Sequence, residues 1–72
     1  MMKKSEIGKF VAERRKSLRV NQADMARICG ISEHALCNFE RGIGNPTFDL
    51  LETVIDALGL ELKLQPKNKE AP

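Results

Sequence analysis

Two short stretches of helical character, residues 22–29 and 33–41, are separated by only three or four residues that include Gly30. That spacing is the tightest constraint on the chain. A turn so short forces two helices to cross, and glycine accepts the left-handed backbone that stops the first of them. Asn21 is placed to cap the first helix, with Asp24 as a short version of the acidic partner in a capping box. Met25, Ala26 and Cys29 form its apolar edge. Ser32 caps the second helix, in which Leu36 and Phe39 point one way. Glu33, His34, Cys37, Asn38 and Arg41 fall on the opposite face by helical spacing, and Gly42 closes the helix.

The flanking segments read from punctuation and period. Ser5 is a plausible cap for an earlier helix, where Ile7, Phe10, Val11 and Leu18 share one face. Gly8 falls inside that helix and costs about 1 kcal/mol relative to alanine. Gly42-Ile43-Gly44-Asn45-Pro46 is a loop, and Thr47 caps a last helix with Leu51, Val54, Ile55 and Leu58 at the apolar positions. Gly59 ends it. Leu60-Glu61-Leu62-Lys63-Leu64-Gln65 then alternates at period two, the pattern of a strand. The expected organisation is a helical body over 1–59, a strand over 60–65 and a polar, frayed tail over 66–72.

Composition removes several classes of function. A chain of 72 residues is one small domain. It buries only about 60% of its unfolded surface, so a partner subunit, metal or disulfide is a common supplement. With three Phe and neither Tyr nor Trp, the core is aliphatic. No apolar run approaches the roughly 18 residues of a membrane span. Met1-Met2-Lys3-Lys4 has no apolar stretch behind it, so no signal peptide is expected. Cys29 and Cys37, with His34 between them, fall short of a four-ligand zinc site and are no disulfide framework, which fits a reduced cytoplasm. No nucleophile–base pair, phosphate loop or carboxylate pair nominates an enzyme, and no cofactor is implied.

Charge is uneven. The net charge is +2, yet residues 1–19 carry seven basic groups (Lys3, Lys4, Lys9, Arg14, Arg15, Lys16, Arg19) against Glu6 and Glu13. This suggests a local anionic partner, with a solvated helix face as the plainer alternative.

The crossed pair is a helix-turn-helix arrangement. Its second helix keeps one face free, and a helix about 10–12 Å across fits the major groove of DNA. Asn21-Gln22-Ala23-Asp24-Met25-Ala26, Cys29-Gly30-Ile31-Ser32, Leu36-Cys37-Asn38-Phe39-Glu40-Arg41-Gly42 and Pro46-Thr47-Phe48-Asp49-Leu50-Leu51 together resemble the phage-repressor family (Cro and lambda-repressor-like, XRE). The likeness runs from Ile7 to Leu60. It implies an all-α, four-to-five-helix DNA-binding domain. It also implies that Gln22 caps its helix against a phosphate and reaches an outer base. Ser32, Glu33, His34 and Asn38 take the base-reading positions, with Asn38 suited to an adenine edge and His34 to a guanine or a phosphate. Glu33 could accept from a cytosine amino group or stand beside phosphates. Arg41, Asn45 and Thr47 take the positions that grip the backbone. Arg15 is implied to pair with Glu40, tying two helices together. Cys29 reads as a small core residue. Cys37, on the exposed face, is either an ordinary surface cysteine or a redox or metal sensor.

A lone strand needs a partner for its backbone groups. The economical partner is a second copy, paired antiparallel about a two-fold axis, with Leu58, Leu60, Leu62 and Leu64 as the dimerisation residues. A monomer with its tail docked on itself is the alternative. A homodimer would read a pseudo-palindrome with half-sites about 34 Å apart. A repressor-like domain followed at once by Leu-Gly-Leu-Glu-Leu-Lys-Leu is similar to the HipB-like antitoxins. That likeness implies a cytoplasmic, nucleoid-associated autorepressor that also neutralises a HipA-type kinase toxin. A stand-alone phage- or plasmid-type regulator without a toxin and a protein-interaction adaptor remain as alternatives.

Overall fold

The computed structural model describes residues 3–66. Among them are four helices: α1 (Lys4–Ser17), α2 (Gln22–Cys29), α3 (Glu33–Glu40) and α4 (Phe48–Ala57). Three begin on the expected side chains. The Asp24 amide donates to Asn21 Oδ1 at 2.8 Å, Ala35 to Ser32 Oγ at 3.0 Å, and Leu50 to Thr47 Oγ1 at 3.1 Å. Each satisfies an amide that the first turn of a helix leaves without a partner. The start of α1 differs. Ser5 lies inside its first turn, and Lys3 is the cap residue, its backbone N–H donating to the Glu6 carboxylate at 2.8 Å. Lysine has no side-chain acceptor, so only this half of a capping box forms.

The three-residue turn between α2 and α3 is set by Gly30, at φ 72°. There the Ile31 amide folds back onto the Ala26 carbonyl at 2.9 Å. This closure ends α2 and sends α3 off across it.

Val11, Met25, Ala26, Leu36, Phe39, Val54 and Leu58 form the core, which is aliphatic apart from Phe39. Both α1 and α2 pack on α3, and α2 also reaches α4. The Arg14 guanidinium donates to the Leu58 carbonyl at 3.0 Å, joining α1 to the C-terminal end of α4. The buried line of α1 runs through Gly8, Val11 and Arg15. It is narrower than the apolar period suggests. Phe10 lies on its flank, 56% exposed, and Leu18 is the residue that caps the helix end, 44% exposed.

The C-terminal side bears on the expected dimer. Leu58 is 1% exposed and belongs to the subunit's own core. Residues 60–65 form no strand within the single chain. Leu60 is half-buried against the core, and its amide closes α4 on the Ile55 carbonyl at 3.0 Å. Beyond it the chain is exposed, and no other strand exists among the described residues to pair with it. Only Pro66 of the expected tail is described. Among the described residues, no helix is long and apolar enough to cross a membrane.

Candidate nucleic-acid interface

Helix α3 turns Leu36, Phe39 and Glu40 inward. Ser32, Glu33 and His34 are exposed, while Cys37 and Asn38 are half-buried. Asn38 and His34 stand one turn apart, with Asn38 Nδ2 3.2 Å from His34 Nε2. An amide nitrogen can only donate, so this bond requires the unprotonated ring nitrogen at that position. The Asn38 carbonyl oxygen and its second N–H stay available, the acceptor and donor that an adenine edge demands. Ser32 and Thr47 use their oxygens as helix caps, which leaves each hydroxyl proton free to donate to a phosphate.

Behind this face lies a buried polar network centred on Glu40. Arg15 grips the carboxylate with two parallel bonds, Nε to Oε2 at 2.7 Å and Nη2 to Oε1 at 2.9 Å. A third bond, from Nη1 to the Val20 carbonyl at 2.8 Å, braces the α1–α2 connection. Gln22 Nε2 also donates to Glu40 Oε1, at 2.9 Å. Glu40 thus ties α1, the first residue of α2 and the last residue of α3 to one carboxylate. Burial pushes this carboxyl up, but the hydrogen bonds from Arg15 and Gln22, with the charges of Arg15 and Lys16, hold it below the usual carboxylate range. In return, the hydrogen bond to Glu40 raises the Arg15 pKa, against the effect of burial.

Arg41 is exposed at the end of α3, and Asn45 is exposed in the loop that follows. The Lys4 ammonium reaches that loop, donating to the Gly44 carbonyl at 2.7 Å and to Asn45 Oδ1 at 3.0 Å. The sequence reading missed the roles of Lys4 and Gln22 seen here. The basic amino-terminal cluster was a signal for Lys4, but its partners are about forty residues away in sequence. Neither cysteine is in a disulfide; both are half-buried, and burial pushes the Cys29 thiol up.

A separate apolar surface lies away from α3. A groove of about 610 Å³ beside α4 is lined by Phe48, Ile55, Leu60, Leu62 and Leu64, among others. It shares Ile55, Leu60 and Leu62 with a second groove of about 330 Å³ that reaches Phe10 on α1. Phe48 is 63% exposed, Leu62 42% and Leu64 90%.

A family model described as helix-turn-helix matches residues 11–65. Among solved structures, the crystal structure of the clp gene regulator ClgR from C. glutamicum is similar, with a TM-score of 0.79 and 24% identity. The match covers 86% of this chain and 80% of that one, and at this identity it establishes the shared fold. No curated protein sequence matches the chain.

Proposed function

The chain belongs to the Cro/C1-type helix-turn-helix family of DNA-binding regulators, and on that premise we propose that it is a homodimeric repressor reading a palindromic operator. The observation that carries this reading is the division of α3. Its inner face is locked by Leu36, Phe39 and the Arg15–Glu40–Gln22 network, while Ser32, Glu33, His34 and Asn38 present hydrogen-bonding groups on the other side. A rigid helix with a polar outer face is what major-groove reading requires. Gln22, Arg41, Asn45 and Thr47 would hold the flanking phosphates.

The apolar grooves support the dimer. Leu62 and Leu64 leave a large apolar area in water beside Phe10 and Phe48, and the backbone after Leu60 has no strand partner within the described chain. A second copy pairing antiparallel through 60–65 would cover both. The run from Leu58 to Leu64 supports the narrower reading, a HipB-like antitoxin whose second partner is a HipA-type kinase toxin. An adjacent gene for such a kinase would separate this from a stand-alone regulator.

The test is binding to duplex DNA from the region upstream of the chain's own gene, across salt, beside a scrambled duplex. The expected result is two chains per duplex and a preference of at least about 10³-fold, weakening steeply with salt. Equal, weak binding to both duplexes would favour the adaptor instead.

A further inference from the structure

The start of α1 and the loop between α3 and α4 form a built contact. A Cβ on Gly42 would meet the Ser5 backbone at 2.6 Å, so the loop lies directly on the first turn of α1. From that turn the Lys4 ammonium donates to Gly44 O at 2.7 Å and to Asn45 Oδ1 at 3.0 Å. An ammonium carries donors and no acceptor. It can therefore hold only the oxygen of the Asn45 amide, and it leaves the amide nitrogen with both N–H donors unengaged by this contact. A phosphate offers acceptors alone. We infer that Lys4 is a positioning residue for DNA, fixing the loop and turning the Asn45 amide so that its donors meet a backbone phosphate. This rests on the DNA-binding reading and adds to it a residue on α1 that acts through another side chain. Lys4 also engages the Gly44 carbonyl, whose negative end would otherwise be free beside the incoming phosphate.

A double-mutant cycle on the full chain tests this, with Lys4→Met, Asn45→Ala and the pair, titrated against the upstream duplex across salt. Lys4→Met and Asn45→Ala should each weaken binding about tenfold, and the double variant should be no weaker than the worse single, because both remove one contact. Lys4→Arg, which keeps the donors, should recover most of the loss. The salt slope should be the same in Lys4→Met as in the parent protein. The side-chain amide resonances of Asn45 should also shift in Lys4→Met without DNA, at an unchanged unfolding midpoint. Losses that multiply to about a hundredfold, with a slope smaller by about 0.9, would make Lys4 a direct phosphate contact and overturn the inference. Wild-type effects in both single variants would overturn it as well. If the unmutated chain binds no duplex, the DNA reading fails first and takes this one with it.

Discussion

Replacing Glu40 by alanine should strand the buried Arg15 charge and cost a large share of the chain's stability. Arg15 is 6% exposed and Glu40 8% exposed, and two parallel hydrogen bonds join them. Without the carboxylate, the guanidinium stays in the protein with the Val20 carbonyl, and Gln22 loses its acceptor. Removing one partner of a buried pair costs about 3–5 kcal/mol. At about 0.05–0.15 kcal/mol per residue, a domain of this size has a total stability of about 4–11 kcal/mol. Glu40→Ala should therefore remove between about a quarter and all of it. Urea unfolding followed by circular dichroism measures the loss directly. Removing both charges, as Arg15→Met with Glu40→Leu, should recover most of it, because an apolar pair of similar volume carries no stranded charge. The pH dependence follows from the direction of the carboxyl shift. Its folded pKa lies below its unfolded one, so its contribution is full above the unfolded value, about 4.5. That contribution is lost as pH falls through the folded value. The stability gap between the parent chain and Glu40→Gln should accordingly narrow only below about pH 4. A cost under about 1 kcal/mol for Glu40→Ala, or a gap that is flat with pH down to full protonation, would refute the account of this network.

Two other changes probe the packing and the reading face. Gly8→Ala should destabilise by about 1–3 kcal/mol although alanine is the better helix former, because overpacking against main chain outweighs a propensity gain of about 1 kcal/mol. The new Cβ would lie 2.5 Å from the Glu40 carbonyl oxygen, and a urea midpoint above the parent's would show that α1 and α3 are not that close. Asn38→Ala should lower the preference for the operator over a scrambled duplex by about 1–3 kcal/mol while leaving the salt slope unchanged. Equal losses on both duplexes would make Asn38 a phosphate contact rather than a base reader.

What was legible from the residues was whatever closes within one turn of chain. Asn21, Ser32 and Thr47 cap helices three residues ahead, and Gly30 turns the backbone where it stands. Periodicity found the apolar side of α1 but not its width. Phe10 and Leu18 match the period and still face solvent, because α3 meets α1 along Gly8, Val11 and Arg15. Gly8 itself looked like a local cost, and its reason is a backbone thirty residues further on. The alternation after Gly59 was visible, but a strand is a relation between two segments, and one chain supplies only one of them.

Gln22 shows where the two kinds of information meet. The family resemblance implied a phosphate for it, and the fold brings to it a carboxylate eighteen residues away. The two readings are compatible, since one N–H donates to Glu40 and the other remains for a ligand. On the proposed function they also couple stability to recognition. The carboxylate that neutralises Arg15 is the one that holds Gln22, so a change at Glu40 should weaken the fold and displace the side chain proposed to meet a phosphate together. Loss of DNA binding in such a variant therefore identifies a contact only when it is measured under conditions where the variant is still folded. Gln22→Ala makes the separation, because it removes the amide and leaves the Arg15–Glu40 pair in place.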